Sequence, residues 1–315
     1  MTSPLPCAVV GVGYLGRFHA QKYKILEEAN LVGVCDINEE VGQKVAEELG
    51  VPYIKNPEDL LPLVKAVTIA ATTSSHFELC KLFLENGVHV HVEKPMTTTV
   101  KEAEELCSLA EKKQLKFQVG HVERFNAALV AAREQLKEPL FMESHRLAPF
   151  KPRGVDVDVV LDLMIHDLDV ILSLVSAPVK TVSAVGTPVL TSTTDIANAR
   201  LEFESGAIAN LTASRVSLNA QRKIRVFQKD QYLSIDFGKQ EVSLLTKTDS
   251  VVKDLSSLPF RHDIWSLEKS DALLEETRAF VKSVLEDTPC VVSGRDGLVA
   301  LKLARQIIEC IQRRK

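Results

Sequence analysis

Residues 7–16 run Cys-Ala-Val-Val-Gly-Val-Gly-Tyr-Leu-Gly, and this stretch decides the fold. The short apolar run predicts a buried strand, the glycines predict a tight turn, and the pattern that follows predicts a helix. Gly11 allows the sharp turn, Gly13 lets a ligand approach the backbone, and Gly16 lets the helix pack closely on the strand. This order is typical of the first βαβ unit of a doubly wound α/β domain.

The second predicted strand, residues 31–35, ends at Asp36. An acidic residue there can accept hydrogen bonds from a ribose diol, and it repels a 2′-phosphate, which favours NAD over NADP. The N–H groups and dipole of the first helix favour a pyrophosphate at its start. The alternative is a glycine turn that binds nothing. We assign to cofactor binding Gly11, Gly13, Tyr14, Leu15, Gly16 and Asp36.

Polar residues follow two further predicted strands. The apolar strand 66–71 is followed by Thr72, Thr73 and His76, which are candidates to line the cofactor cleft because ligands lie beyond the carboxyl ends of such strands. Helix capping by Ser74 or Ser75 is the alternative use of this segment.

The strand 88–92 is followed by Glu93-Lys94-Pro95. A lysine at this strand end can hydrogen-bond a hydroxyl that is being oxidised, or take its proton. We assign Lys94 to catalysis and both Glu93 and Lys94 to the cofactor site, with an ordinary surface lysine as the alternative. His89 and His91 have a spacing that suggests a metal weakly, but no third ligand is nearby in the sequence, so we assign no metal.

The pattern changes after residue 120. Residues 1–120 predict a Rossmann domain with helices at 14–29, 39–49, 76–85 and 100–113. Residues 121–315 predict an α+β domain, whose segment 179–255 alternates apolar and polar residues as in an open, mainly antiparallel sheet. Helices are expected near 121–132, 271–285 and 297–313, and the last of these could pack back on the first domain.

The predicted helix 159–174 is apolar on almost every side, yet Asp162, His166 and Asp169 fall at positions i, i+4 and i+7. That spacing places the three residues on one helical face. A carboxylate beside an imidazole can set its tautomer and stabilise its charged form, so the pair can move a proton. We assign Asp162 and His166 to catalysis and Asp169 to the substrate. A structural histidine in a capped helix is the alternative.

Composition excludes several classes. The 45% hydrophobic and 25% charged residues are ordinary for a globular protein, and the net charge of −4 argues against affinity for nucleic acid or an anionic membrane. The six scattered cysteines predict neither a disulfide framework nor a zinc site. No signal peptide or membrane span is visible, so we expect a cytoplasmic protein. Lys151, Arg153 and Arg146 form a basic cluster in this acidic chain, which could neutralise a substrate phosphate or be a solvated loop. Arg124 and Asn126 lie at the predicted domain junction, where either a structural role or a substrate contact is open.

These motifs together resemble the glucose-fructose oxidoreductase / inositol dehydrogenase / MocA family over essentially the whole chain. The carriers are the glycine turn, Thr72-Thr73…His76, Glu93-Lys94-Pro95, Arg124-Phe125-Asn126, Asp162…His166 and residues 292–297. The resemblance implies that NAD accepts a hydride from a sugar carbon while Lys94 and His166 act on the hydroxyl, with Asp162 nearby.

Residues 145–153 followed by 162–167 are similar to the bacterial family members that oxidise the 3-hydroxyl of UDP-N-acetylglucosamine for lipid A. Three alternatives remain open, namely a dehydrogenase of a free sugar or inositol, a non-catalytic NAD(H) sensor, and an enzyme that uses a bound NAD transiently. Because an open sheet with an apolar face needs cover, we expect a homodimer or homotetramer.

Overall fold

The computed structural model describes residues 3–151, 157–248 and 260–314. They form two compact units, the first made of the residues up to Val122 together with Asp271–Leu301, the second of Glu123–Ser270 together with the residues from Lys302 onwards. The first division of the chain lies after Val122, close to the predicted boundary after residue 120. The segment Asp271–Leu301 belongs to the first unit, whereas the sequence analysis assigned it to the second domain.

A parallel sheet forms the centre of the first unit, as predicted. Its six strands, all within the described residues, have the order β3-β2-β1-β4-β5-β6. The strands are β1 (Leu5–Val10), β2 (Ala29–Cys35), β3 (Tyr53–Ile54), β4 (Ala66–Ile69), β5 (His89–Glu93) and β6 (Phe117–Gly120). The order reverses between β1 and β4, and in such sheets ligands bind outside the carboxyl ends of the strands at this point.

The helices of the first unit cover this sheet. They are α1 (Tyr14–Ile25), α2 (Glu39–Leu49), α3 (Thr73–Glu85), α4 (Val100–Lys112) and α7 (Ala272–Leu285), with a 3₁₀ turn at Pro57–Leu60. The core contains Val9 of β1, Tyr23 of α1 and both Phe280 and Val281 of α7. This packing explains why a helix from late in the chain belongs to the first unit.

Two of the predicted helix boundaries here were wrong. Helix α1 ends at Ile25 rather than at residue 29, because Leu26 is extended and Ala29 already pairs with Leu5 of β1. Helix α3 begins at Thr73 with Thr72 as the residue before it, so the serines proposed as caps lie inside the helix. Pairing with the sheet outweighs helix propensity in the first case.

The second unit contains a mainly antiparallel sheet, as predicted. Its eight strands within the described residues have the order β14-β13-β12-β11-β7-β10-β9-β8, and β7 and β10 are parallel. They are β7 (Phe141–Leu147), β8 (Val179–Thr187), β9 (Ile196–Phe203), β10 (Ile208–Ser214), β11 (Gln221–Gln228), β12 (Gln231–Asp236), β13 (Glu241–Lys247) and β14 (Phe260–Ser266). The sequence did not predict β14.

The helical segments of this unit differ from the prediction in detail. A 3₁₀ turn at Val122–Phe125 precedes α5 (Ala127–Ala132), where one longer helix was expected. The predicted helix 159–174 is a π-helical turn, Val160–Met164, followed by α6 (Ile165–Leu174). The last helix of the described residues is α8 (Gly294–Gln312), whose residues up to Leu301 belong to the first unit and whose residues from Lys302 belong to the second. No helix of the described residues is both long and apolar enough to cross a bilayer.

Candidate active site

The glycine turn has the geometry that its sequence predicts. Gly11 has φ +81°, and a Cβ added there would lie 2.5 Å from the Ala71 nitrogen. A Cβ on Gly16 would lie 1.7 Å from the Gly11 oxygen, whereas a Cβ on Gly13 would meet nothing within 4 Å. Gly11 and Gly16 are therefore required by the protein's own packing. Gly13 leaves an open approach to the backbone where α1 starts, as a bound pyrophosphate requires.

Asp36 lies directly beside this turn. Its Oδ2 accepts a hydrogen bond from the Val12 N–H at 2.7 Å, and its Oδ1 accepts one from the Asn38 N–H at 2.8 Å. A carboxylate has about four acceptor positions, so each oxygen can still accept a ribose hydroxyl. The residues present fit a dinucleotide with a free 2′-hydroxyl. Tyr14 and Leu15, which were assigned with them, are exposed at the first turn of α1.

The residues after β4 divide into two groups. Thr72 is exposed and Thr73 half-buried, so both present polar groups beyond the strand end. His76 is buried, and its ring nitrogens lie 3.0 Å from the carbonyl oxygens of Ala71 and Pro95. Burial lowers the pKa of His76 although these carbonyls oppose the shift. The ring of His76 therefore links the ends of two strands.

The end of β5 holds the Glu93-Lys94-Pro95 triplet, and the Lys94–Pro95 peptide bond is cis. Lys94 is half-buried, while Glu93 is buried. Oε1 of Glu93 lies 2.8 Å from Nε2 of His19 in α1, and Oε2 accepts the Lys94 N–H at 3.1 Å. Lys94 therefore follows directly after the end of β5, and the carboxylate of the residue before it, Glu93, is held by hydrogen bonds in the interior of the unit.

Sequence reasoning missed the contact between His19 and Glu93. Ligand atoms of His19, Glu93 and Glu276 lie within 4.8 Å of one another, which is the grouping that a metal site would need. The 2.8 Å between His19 and Glu93 is a hydrogen-bond distance, however, whereas two ligands of a tetrahedral zinc ion lie about 3.3 Å apart. His19 lies on the buried side of α1, and its partner Glu93 is 74 residues further along the chain, so no local pattern could connect the two.

In the second unit, Asp162 lies in the π-helical turn and His166 in the first turn of α6. Both are half-buried, in a segment where most neighbours are buried. Single π-helical turns are rare in proteins and are frequently found at functional sites. The local structure therefore places an imidazole and a carboxylate in a largely buried, apolar segment.

Two buried ion pairs hold α6 in place. Arg124 donates two hydrogen bonds to Asp169, at 2.7 and 3.1 Å, and Arg146 of β7 donates two to Asp167, at 2.8 and 3.0 Å. Arg146 also donates to Glu123 at 2.8 Å. Burial alone would lower the pKa of Arg146, but these two carboxylates raise it well above its ordinary value. Both arginines thus anchor the helix that contains His166.

These contacts give a structural role to four residues assigned to the substrate. Arg124, Asp169 and Arg146 use their charged atoms within the protein, and Asn126 caps α5 while donating to the Phe237 carbonyl at 3.1 Å. All four are buried. The physical reason is that a buried charge needs a partner, which the sequence could not identify.

The remaining basic residues lie before the π-helical turn. Lys151 is exposed, and Arg153 lies outside the described residues.

Asp195, which lies between β8 and β9, holds a turn of the second unit. Its side chain accepts hydrogen bonds from the backbone N–H groups of Val189, Leu190 and Thr191 at 2.7–2.9 Å. Burial alone would raise the pKa of Asp195, but these donors lower it to about 2. The sequence analysis did not single out Asp195, although the run of threonines before it is typical of such turns.

Models of two family domains match the chain. The model described as an oxidoreductase family with an NAD-binding Rossmann fold matches residues 5–121, and the GFO/IDH/MocA C-terminal domain model matches residues 128–233. UDP-N-acetylglucosamine 3-dehydrogenase of Acidithiobacillus ferrooxidans is 38% identical over 300 residues, which cover 95% of each protein. Myo-inositol 2-dehydrogenase of Thermotoga maritima is 27% identical, over 94% of this chain and 92% of that protein.

Solved structures agree with the sequence comparisons. A structure of the Acidithiobacillus ferrooxidans UDP-N-acetylglucosamine 3-dehydrogenase has a TM-score of 0.92 at 36% identity and covers 99% of both chains. Scyllo-inositol dehydrogenase of Lactobacillus casei with bound NAD(H) and scyllo-inositol has a TM-score of 0.80 at 21% identity, over 99% of this chain and 98% of that chain, which shows the fold alone. The chain belongs to the GFO/IDH/MocA family of oxidoreductases, with an NAD-binding Rossmann domain.

Proposed function

We propose that this protein oxidises the 3-hydroxyl of UDP-N-acetylglucosamine to a ketone with NAD⁺, as a step towards lipid A. The observation that carries the proposal is the 38% identity to UDP-N-acetylglucosamine 3-dehydrogenase over 95% of both proteins. Two features of the first unit support NAD⁺ as the cofactor. The backbone at Gly13 is open to a pyrophosphate, and the carboxylate of Asp36 would repel the 2′-phosphate of NADP⁺.

Oxidation of a secondary alcohol removes a hydride from carbon and a proton from oxygen. Bound NAD⁺ supplies the acceptor for the hydride. The protein therefore has to bind the sugar and move the proton, for which Lys94 in the first unit and His166 with Asp162 in the second have suitable chemistry. The cofactor role extends to the turn residues Gly11 to Gly16, to Thr72 and Thr73, and to the Glu93-Lys94 pair.

We propose that fewer residues contact the substrate than the sequence suggested. We propose that Lys151 and Arg153 take the diphosphate, since Lys151 is exposed and both belong to the same basic segment. Arg124, Asn126, Arg146 and Asp169 act instead by holding α5 and α6, because their polar atoms already bond within the protein.

The test is the absorbance of NADH with purified protein, NAD⁺ and a substrate panel. We expect a signal with UDP-N-acetylglucosamine and none with N-acetylglucosamine, myo-inositol or scyllo-inositol. Signal with a free polyol alone would favour the inositol dehydrogenases among the relatives and contradict the nucleotide-sugar proposal. No signal with any substrate, together with NAD(H) binding, would favour a sensor, or an enzyme that retains its cofactor.

The role of Lys94 is tested by Lys94→Met, with Lys101→Met as the matched control because Lys101 is exposed on α4 of the same unit. We expect Lys94→Met to keep NADH binding and to lose turnover by at least about a hundredfold, the usual contribution of a proton-transfer group. Turnover near that of Lys101→Met would remove Lys94 from the mechanism.

We also propose a cytoplasmic homo-oligomer, a dimer or tetramer, that uses the half-exposed face of the second sheet. The cytoplasmic location is supported by six free cysteine thiols. Phe141, Phe227 and Tyr232 form a row across that face, with ring centroids 5.6 and 4.8 Å apart. They lie on the opposite face from Arg146, which pairs with α6. Sedimentation as a monomer would contradict this assembly.

A further inference from the structure

A layer of polar side chains crosses the interior of the first unit. Thr68 of β4 and His91 of β5 are register partners on one sheet face, and Glu93 lies two residues further along on the same side. Strands of a parallel sheet that is covered on both faces are normally apolar throughout. The buried polar layer consists of His19, Tyr23, Thr68, His91, Glu93 and Glu276.

The layer has two branches. In the first, Tyr23 Oη lies 2.7 Å from Thr68 Oγ1, which is 3.3 Å from His91 Nδ1, and His91 Nε2 is 3.7 Å from Glu276 Oε2. This branch stays in the core. In the second branch, His19 bonds Glu93, and Glu93 bonds the backbone N–H of the residue after it. The second branch reaches the end of β5.

Glu93 is closely confined. A Cβ added to Gly120 would lie 3.2 Å from the Cδ of Glu93, so the backbone of β6 limits the carboxylate on one side. The imidazole of His19 and the Lys94 N–H each engage one carboxylate oxygen. Since a buried carboxylate is costly without donors, removing His19 would leave one oxygen of Glu93 without its donor.

We propose that His19 is a positioning residue for the dehydrogenation, which holds Glu93 and thereby fixes the backbone from which Lys94 extends. The inference rests on the proposed role of Lys94. His19 lies in the first half of α1, the helix that starts at the glycine turn, so one side chain links the cofactor helix to the catalytic strand end. A displacement of about 1 Å at a reacting group can cost about a hundredfold in rate.

The charge of Glu93 gives this role a distinct signature. Burial raises the pKa of Glu93, but the hydrogen bond from His19 and the neighbouring positive charges outweigh burial and lower it. Without that hydrogen bond, burial is opposed less strongly, so the pKa of Glu93 rises and the carboxylate takes up a proton at a higher pH than in the wild type. The titratable groups that face Glu93 are His19, His76, His91, Lys94 and Glu276.

The experiment uses the full chain with NAD⁺ and the substrate that the panel identifies. His19→Leu should lower kcat by about ten- to a hundredfold at neutral pH. It should also move the fall of kcat on the acid side to a higher pH than in the wild type, and leave the Kd for NADH within about twofold. Glutamine places an N–H near the position of the His19 Nε2, so His19→Gln should recover kcat to within about threefold of wild type.

His91→Leu is the matched control, because His91 is equally buried and its ring lies 5.2 Å from that of His19, but its hydrogen bond to Thr68 belongs to the other branch. We expect it to lower the melting temperature while kcat keeps within about twofold. Equal losses of kcat in His19→Leu and His91→Leu, no recovery in His19→Gln, or an unchanged pH profile would each overturn the role of His19. Turnover retained in Lys94→Met would instead refute the role of Lys94 on which this inference rests, whereas no turnover of UDP-N-acetylglucosamine by the wild type would refute the proposed function.

Discussion

Replacement of Arg124 or Asp169 distinguishes a structural ion pair from a substrate contact. The two side chains are 7% and 1% exposed and share two hydrogen bonds of 2.7 and 3.1 Å. Arg124→Met or Asp169→Leu alone leaves the opposite charge buried without its partner. A buried pair broken in this way typically loses about 3–5 kcal/mol of unfolding free energy.

The magnitude can be expressed as a change in melting temperature. For a unit of this size, about 1 kcal/mol corresponds to about 2–4 °C, so each single variant should melt about 6–20 °C below wild type. The double variant Arg124→Met/Asp169→Leu replaces the pair by two apolar side chains. It should recover most of the loss, because neither charge is then left buried.

The assay is thermal unfolding followed by circular dichroism, together with steady-state kinetics below the melting range. Arg133→Met is the control, since Arg133 is an exposed arginine near the pair that does not make its hydrogen bonds, and it should change the unfolding free energy by less than about 1 kcal/mol. Additive losses in the double variant would refute the ion-pair account. A raised KM with an unchanged melting temperature would indicate that Arg124 contacts the substrate.

Further predictions concern the first unit. Gly16→Ala should lower both the melting temperature and the affinity for NADH, whereas Gly13→Ala should weaken only NADH binding. The reason is that a Cβ on Gly16 would clash with the protein and one on Gly13 would not. Equal melting temperatures of the two variants would contradict this prediction. Asp36→Ala should reduce the preference for NAD⁺ over NADP⁺ in kcat/KM, since the repelling carboxylate is gone; an unchanged ratio would exclude Asp36 from cofactor choice. Burial lowers the pKa of His91 to about 3, so the unfolded chain binds its proton first and the free energy of unfolding falls below about pH 6.5, by up to about 1.4 kcal/mol per pH unit. Denaturant titrations of wild type and His91→Leu between pH 5 and 7 check this, and parallel curves would contradict it.

Local patterns were sufficient for most of the first unit. The glycine turn, the acid after β2 and the position of Lys94 after β5 follow from short-range rules, because strand, turn and helix preferences act over a few residues. Boundaries failed where distant pairing intervened. Ala29 was predicted to lie in α1 but belongs to β2, because it pairs with Leu5 of β1. The π-helical turn that contains Asp162 has no local signature in the sequence.

The sequence by itself determined the fold class, the place of the dinucleotide turn and the polar residue types that follow β4 and β5 and that lie on the helical face of His166. Only the tertiary structure decided which buried polar groups meet each other: Arg124 with Asp169, Arg146 with Asp167, and His19 with Glu93. Their sequence separations are 45, 21 and 74 residues. Burial makes each charge depend on its partner, and the partner is set by how helices and sheets pack rather than by any periodicity along the chain.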